Sequence, residues 1–120
     1  MHDTKTTLEQ LKQKMAAFVA EREWKQFHSP KNLSMSIAVE AAELMEKFMW
    51  GDVQESRIKC ETSRLEVEHE VADILIGILA FANSTNIDLA RAVELKLAEI
   101  AAKYPVNKCR GKAEKYDQLQ

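Results

Sequence analysis

The sequence is poor in residues that interrupt helices or cross-link chains. Its 120 residues include only three glycines and two prolines, the residues that most often break helices. The two cysteines, Cys60 and Cys109, match neither a CxxC metal pair nor a disulfide framework, so we expect two reduced thiols in a cytoplasmic protein. The longest apolar run, Ile74 to Ala82, is about half as long as a membrane span. We therefore expect neither a disulfide-rich scaffold nor a membrane protein.

The charge is nearly balanced, with 17 basic and 19 acidic residues and a formal net charge of −2. Such a balance argues against a general binder of nucleic-acid polymers or of membrane surfaces. The hydrophobic fraction of 46% is sufficient for a core. The length favours a single domain over residues 1–120. Residues 106–120 form its C-terminal tail, which could become ordered by packing over a functional site.

Apolar residues recur at helical spacing along almost the whole chain, which predicts an all-α fold. Thr6 with Glu9, and Ser63 with Glu66, have the spacing of capping boxes at helix starts. Gly51 is placed to end a helix. The predicted helices run from Thr6 to Trp24, from Leu33 to Trp50, from Ser63 to Ala82 and from Asp88 to Lys103. We expect the segment before the second helix to be a connector, and the tail after Pro105 to be irregular or weakly helical.

Helices of this length with short connections predict a four-helix bundle. The third predicted helix is apolar nearly all round between Val71 and Ala82, and such a helix must be covered on most sides. Because four helices from one short chain provide too little cover, we expect a homodimer or homotetramer that completes the bundle.

Two acidic pairs stand on the second and third predicted helices, namely Glu40 with Glu43 and Glu70 with Asp73. Residues three apart are neighbours on a helix surface, and two adjacent carboxylates repel, so one of them should have a raised pKa unless a cation intervenes. Glu40 and Glu43 border an apolar stripe, and nine apolar residues follow Asp73, so we expect Asp73 to be partly buried. Buried carboxylates are normally paired or bound to a metal. The four residues therefore predict a site for a hard divalent cation, Mg²⁺ or Mn²⁺.

The acidic pairs also have a plainer interpretation, since ExxE matches are common by chance in helical proteins. In that case Glu40 and Glu43 are solvated, and Asp73 pairs with a lysine from elsewhere in the chain. Glu46 is a candidate for orienting a water molecule near the metal, although a solvated surface position explains it equally well.

At these residues the sequence resembles the MazG-like all-α nucleoside triphosphate pyrophosphatases, and it looks most like their dCTP-pyrophosphatase branch. The family pattern is ExxE followed by ExxD, here EAAE at 40–43 and EVAD at 70–73. Four further segments match in order: REWKQFHSPKNL at 22–33, AELMEKFMW at 42–50, DILIGILAFA at 73–82 and KYPVNKCRGKAEKY at 103–116.

The resemblance implies an activity. Such enzymes cleave a nucleoside triphosphate between its α and β phosphates, and they remove excess or non-standard dNTPs from the nucleotide pool. It implies that Glu40, Glu43, Glu70 and Asp73 are the Mg²⁺ ligands. Our own candidates for the catalytic base are Glu43, one of these ligands, and Glu46. The substrate implied is dCTP or a related dNTP.

The resemblance also implies nucleotide contacts. Trp24, His28 and Trp50 would line the base pocket, although aromatic residues at helix ends are also ordinary packing residues. Lys96 and Tyr104 also match family positions that contact the nucleotide. Because a triphosphate brings several negative charges, we expect cationic residues near the phosphates, and the candidates are Lys31, Lys108, Arg110 and Lys112. A solvated cationic tail is the alternative for the last three. Where relatives usually carry Asn four residues before the Tyr of the YP pair, this sequence has Ile100, which puts sugar or phosphate contacts in doubt.

Two other functions compete with this interpretation. Glu66 and His69 form an ExxH motif of the kind that di-iron carboxylate bundles use, but such bundles need two of these motifs. Neither His2 nor His28 has a glutamate three residues before it on a helix. A non-catalytic helical oligomerisation module would account for the apolar helices and would leave the two acidic pairs unexplained.

Overall fold

The structure, a computed structural model, describes residues 1–120. It contains helices and no strand, which confirms the all-α prediction. The helices are α1 (Leu8–Glu21), α2 (Pro30–Glu46), α3 (Val53–Thr62), α4 (Arg64–Thr85), α5 (Leu89–Lys103) and α6 (Val106–Cys109), with 3₁₀ turns at Trp24–Phe27 and Tyr116–Gln118. None of these helices combines the length and the apolar character that a membrane span requires.

The chain forms two compact units, Met1–Asn86 and Ile87–Gln120. The first unit contains α1 to α4, and the second contains α5 and α6. The expected single domain over residues 1–120, with its tail ordered over a site, stays a prediction.

Within the first unit, α4 is the central helix, and α1, α2 and α3 all pack against it. Few apolar side chains are buried, namely Val19, Leu33, Leu79, Ala80 and Ala82. The last three belong to α4. Gly77 of α4 is also buried. The α2–α4 interface matters most for function, because each of these two helices carries one acidic pair.

The start of α1 differs from the prediction by one residue. The N–H of Gln10 donates to Thr7 Oγ1 (3.1 Å), and the N–H of Thr7 donates to the Gln10 side chain (2.8 Å). The capping box therefore uses Thr7 and Gln10, and the predicted box of Thr6 and Glu9 is wrong. The reason is local, because Thr6 Oγ1 already accepts a hydrogen bond from the N–H of His2 (3.1 Å) in the preceding turn.

Both ends of the first connector are shifted as well. Helix α1 ends at Glu21 rather than at Trp24, because Glu23 adopts a left-handed backbone conformation with φ 54°. Helix α2 begins three residues before the predicted Leu33, since Pro30 occupies its first turn and Ser29 caps it. Proline is well suited to that position, because its missing N–H would have no helical partner there.

The end of α2 also comes earlier than predicted, at Glu46 rather than at Trp50. The backbone tightens there, because the N–H of Phe48 bonds to Met45 O (3.0 Å) and that of Lys47 bonds to Leu44 O (3.2 Å). These bonds span three residues, as in a 3₁₀ turn, so the α-helix does not reach Gly51.

Helix α3 was not predicted, which makes five helices of ten or more residues rather than four. Ser63 both ends α3 and precedes α4, and its backbone angles of φ −117° and ψ 39° keep its side chain from capping α4. The predicted capping box of Ser63 and Glu66 is therefore wrong. The prediction for α5 is confirmed, because Asp88 caps its start and Lys103 ends it.

Candidate metal centre

Three carboxylates converge where α2 packs against α4. One carboxylate oxygen from each of Glu40, Glu43 and Glu70 lies within 4.8 Å of the other two. Glu40 and Glu70 are half-buried, whereas Glu43 is exposed, so the group is open to solvent on one side. Helical spacing places Glu40 beside Glu43 on α2, and the packing of the two helices adds Glu70 from α4.

Two oxygens of this group are buried without any hydrogen-bond partner, Glu40 Oε2 and Glu70 Oε2. A buried acceptor that lacks a partner costs about 1–3 kcal/mol, and a charged one costs more. Two such atoms in one group of carboxylates form an electron-rich site that a small cation would satisfy. The oxygen-only ligand set fits a hard divalent ion such as Mg²⁺.

The pKa of Glu40 is raised above its ordinary value of 4.5. The largest cause is a side-chain hydrogen bond with Glu43, followed by burial and then by the negative charges of Glu43, Asp73 and Glu70. The sequence predicts that one member of a close carboxylate pair has a raised pKa, and the structure identifies Glu40 as that member. A bound cation would counteract these causes by favouring the ionised form.

Asp73 is exposed, so the prediction of its partial burial is wrong. The apolar run that follows it is itself only partly covered within one chain, since Leu75 is 39% and Ile76 is 44% exposed. Asp73 is not among the three carboxylates that converge, but its charge contributes to the raised pKa of Glu40. Its assignment as the fourth metal ligand stays a prediction.

A lysine that the sequence interpretation missed reaches the edge of this group. Lys47 Nζ lies 3.8 Å from Glu70 Oε1 and 3.8 Å from Glu66 Oε2. The plainer interpretation expected a lysine beside Asp73, whereas the structure places one beside Glu70. Its position four residues after Glu43 on the same helix face was a usable signal. Because Lys47 contacts Oε1 of Glu70, the buried Oε2 is still without a partner.

Glu46 and Trp50 lie together at the end of α2, where they line a cavity of about 250 Å³ with Lys47 and Lys59. Trp50 is 91% exposed, so its indole ring is free to meet a ligand or a second protein surface. Trp24 is elsewhere, packed edge-on against Phe18 with a ring separation of 5.8 Å. This contact agrees with the alternative interpretation of Trp24 as an ordinary packing residue at a helix end.

His28 lines a different cavity, of about 300 Å³, whose polar wall also includes Lys25, Asn83 and Ser84. Ser84 Oγ donates to the carbonyl of His28 (2.8 Å), which fixes the connector against α4. Asn83 and Ser84 were missed because they end an otherwise apolar helix. His28 and Trp50 thus line two different cavities, neither of which includes Trp24, and the roles of the three residues at the base stay predictions. Lys31 lies exposed in the first turn of α2.

The other predicted nucleotide contacts belong to the unit Ile87–Gln120. Lys96 Nζ is hydrogen-bonded to Glu99 (3.1 Å), and this bond, with a second from Lys103, lowers the pKa of Glu99. The Tyr104 hydroxyl accepts a hydrogen bond from the N–H of Tyr116 (3.2 Å). Three cationic residues, Lys108, Arg110 and Lys112, are exposed. Their predicted phosphate contacts stay predictions.

The converging group consists of glutamates alone, and His69 of the ExxH motif is exposed outside it. Di-iron bundles use histidine ligands as well as carboxylates. This composition favours an oxygen-only site over the di-iron alternative.

Comparison with known proteins identifies the family. A model of the MazG-like family matches residues 35–119. The dCTP pyrophosphatase 1 of Rattus norvegicus is 38% identical over 94% of this chain and 68% of its own length. The dCTP pyrophosphatase 1 of Homo sapiens is 35% identical over the same shares.

A solved structure adds evidence for the fold. A pyrophosphatase from Archaeoglobus fulgidus superposes with a TM-score of 0.80 at 36% identity, covering 88% of this chain and 98% of that one. The resemblance drawn from the acidic motifs is thereby confirmed, because the family match includes both EAAE at 40–43 and EVAD at 70–73. The chain belongs to the MazG-like family.

Proposed function

We propose that this chain, a pyrophosphatase by family, hydrolyses a deoxynucleoside triphosphate to the monophosphate and pyrophosphate. The observation that carries this proposal is the group of three carboxylates with two buried oxygens that have no partner. The role of the enzyme would be to remove excess or non-standard dNTPs from the nucleotide pool. The relatives named dCTP pyrophosphatase 1 support dCTP or a related dNTP as the substrate.

Glu40, Glu43 and Glu70 would hold Mg²⁺, with Mn²⁺ as a substitute, and Asp73 would complete the set from the exposed side. A divalent cation held there supplies positive charge to the phosphate oxygens of the nucleotide. The protein contributes geometry, because α2 and α4 fix three carboxylates in place before the nucleotide binds.

We assign the acid–base step to the exposed carboxylates Glu43 and Glu46. Glu43 is supported by its position, because it is the exposed member of the converging group. Glu46 is supported by its position in the cavity that Trp50 also lines, together with Lys47, whose Nζ lies 3.8 Å from Glu70 Oε1. A general base must lie within hydrogen-bond reach of the water that it deprotonates, and both residues are open to solvent.

For the nucleotide itself, we propose that Trp50 stacks on the base, as exposed aromatic rings do in other nucleotide sites. Trp24 and His28 are proposed as further base contacts, and the polar lining around His28 supports its role. The remaining proposed contacts to sugar and phosphate are Lys31, Lys96, Tyr104, Lys108 and Arg110. The family resemblance implies an Asn at the position of Ile100, so we expect one polar contact to the nucleotide to be absent.

Self-association is also proposed. Val67, Val71 and Leu75 line an open groove of about 400 Å³ on α4, together with Cys60 of α3. Because Val71 is 50% exposed, a second copy that covers this groove would bury apolar surface that one chain leaves in water. Both cysteines are free, which supports the cytoplasmic location expected from the sequence.

Pyrophosphate release from a panel of common and modified dNTPs, with Mg²⁺ and with Mn²⁺, tests the proposed activity. We expect turnover of at least one dNTP, and we expect Glu43→Gln to lower kcat by at least about 100-fold. The matched control is Glu61→Gln, because Glu61 is exposed on α3 and lies outside both the converging group and the groove on α4. This control should keep wild-type turnover.

Folded, metal-loaded protein that turns over no nucleotide would reject the proposal. Unaffected self-association in wild-type and Glu43→Gln protein, without turnover in either, would instead support a non-catalytic oligomerisation module. Substantial bound iron in the purified protein would support the di-iron alternative.

A further inference from the structure

Gly77 lies buried in the middle of α4, where glycine is among the least favourable residues for a helix. Its position has a steric reason. A Cβ atom at residue 77 would lie 2.9 Å from Ile37 Cγ1, a distance that real Cβ contacts essentially never show. The same Cβ would lie 3.9 Å from Ile37 Cα and 4.0 Å from Ile37 Cβ. At this position α2 therefore lies closer to α4 than any residue with a Cβ atom would allow.

This close approach occurs on the helix faces that carry the acidic group. Gly77 follows Glu70 by seven residues, which is about two helical turns, so both residues lie on the same face of α4. Ile37 precedes Glu40 by three residues and is its neighbour on the surface of α2. The close contact of Gly77 with Ile37 is thus about one turn from the carboxylates on α2.

We propose that Gly77 is a positioning residue, which sets the separation of α2 and α4 at which Glu40 and Glu43 can share one cation with Glu70. This inference rests on the proposed metal site. The magnitudes make the separation critical. Two oxygens on opposite sides of Mg²⁺ are at most about 4.2 Å apart, since each bond is about 2.0–2.1 Å long. One oxygen from each of the three carboxylates already lies within 4.8 Å of the other two, so the group is near this limit and has little tolerance for further separation.

A methyl group at residue 77 cannot be accommodated by a simple rotation of Ile37. Isoleucine is branched at Cβ, and one χ1 rotamer is strongly preferred in a helix. The close atom is Cγ1, next to the branch point, rather than the far end of a flexible chain. The helix backbones must therefore move apart, and the acidic pairs move with them.

The test measures Mn²⁺ affinity directly, by the electron paramagnetic resonance signal of free Mn²⁺, without nucleotide and without turnover. We expect Gly77→Ala to keep its helix content and to bind Mn²⁺ at least about tenfold more weakly than wild type. The control Val19→Ala alters a buried residue of α1, outside the α2–α4 contact, and should bind Mn²⁺ as wild type does.

A second pair of variants separates positioning from general damage. Ile37→Ala removes Cγ1, so the combination of Ile37→Ala with Gly77→Ala leaves the two Cβ atoms in ordinary contact at about 4.0 Å. We expect this double variant to bind Mn²⁺ with the affinity of Ile37→Ala alone, and this comparison decides the question even when Gly77→Ala does not fold. A double variant that binds more weakly than Ile37→Ala, or does not fold, would overturn the inference.

Wild-type Mn²⁺ affinity in folded Gly77→Ala protein would overturn the positioning role and leave the metal site intact. Failure of the wild type to bind Mn²⁺ would overturn both the metal site and the positioning role.

Discussion

Glu40 links the acidity of the site to the stability of the fold. Because its pKa is raised in the folded protein, the folded state holds the proton of Glu40 more tightly than the unfolded chain does. Below the unfolded value of 4.5 both states are protonated, and this residue imposes no penalty. As the pH rises from 4.5 through the raised pKa, the free energy of unfolding of the metal-free protein should fall.

Thermal unfolding in EDTA across this pH range measures the effect. We expect the stability of Glu40→Gln to fall less than that of wild type, because its amide does not ionise. Glu61→Gln, altered at an exposed glutamate outside the site, should follow the wild-type curve. Parallel curves for wild type and Glu40→Gln would contradict the prediction.

Addition of Mg²⁺ to the metal-free protein gives a second prediction for the same residues. At 100 times its Kd, a ligand that binds only the folded state stabilises it by about 2.7 kcal/mol. We expect a rise in Tm for wild type at pH 7, and little or no rise for Glu43→Gln at the same Mg²⁺ concentration. An equal rise in both proteins would place the bound ion outside the group of Glu40, Glu43 and Glu70.

The site was predictable from the sequence as far as helical spacing reaches. Spacing of three residues placed Glu40 beside Glu43, and the structure brings the predicted ligand Glu70 to them across the helix interface. The exposure of Asp73 was not predictable, since a run of apolar residues does not reveal how much of it one chain covers. The close contact of Gly77 with Ile37 was not predictable either, because it depends on how two helices cross.

At the scale of helices, the adjacent residues Thr6 and Thr7 accept different hydrogen bonds. Thr7 caps α1, with its Oγ1 accepting from the N–H of Gln10, whereas Thr6 Oγ1 accepts from the N–H of His2 before the helix begins. Loss of an N-cap side chain typically costs about 1 kcal/mol. We therefore expect Thr7→Ala to lower the free energy of unfolding by about 1 kcal/mol, as measured by urea denaturation.

Thr6→Ala is the matched control, because it removes the same atoms one residue earlier. Its effect should be smaller than that of Thr7→Ala, since the bond that it removes lies in the turn before the helix. An equal or larger loss of unfolding free energy in Thr6→Ala would contradict this prediction. It would favour Thr6 as the cap, as the spacing of Thr6 and Glu9 suggests.

The boundaries of α5 were predictable from the sequence, whereas both ends of α1 and α2 and the whole of α3 were not. Asp88 and Pro105 bracket α5 correctly, because one caps its start and the other forbids continuation. Helix α3 escaped notice because its sequence, VQESRIKCET, has no clear apolar face. The spacing of Asp52 and Glu55 was a usable signal, since the Asp52 carboxylate accepts from the N–H of Glu55 (2.8 Å).

At the scale of the whole molecule, apolar residues are far more numerous than buried ones. The sequence is 46% hydrophobic, yet the buried apolar side chains of one chain are Val19, Leu33, Leu79, Ala80 and Ala82. On α4 the exposed residues Val71 and Leu75 lie four apart on one face and line the same groove. An apolar stripe of this kind is typical of a helix that packs against another helix.

We expect the protein to be a homo-oligomer and Val71→Lys to shift it towards the monomer. A lysine at residue 71 would place a long charged side chain in the middle of the groove that a second copy is proposed to cover, and burial of a charge there is unfavourable. Size-exclusion chromatography with light scattering, over a dilution series, measures the change in mass. The expected weakening of self-association is at least about tenfold, which corresponds to about 1.4 kcal/mol.

Val53→Lys is the matched control for this prediction, because Val53 is 71% exposed at the start of α3 and does not line the groove. It introduces the same charge on the same unit, so it should leave the mass distribution unchanged if the groove is the interface. A monomeric wild type would contradict self-association altogether. Equal weakening by both variants would show that added charge, rather than the groove, controls the assembly, and the uncovered face of α4 would then need another occupant.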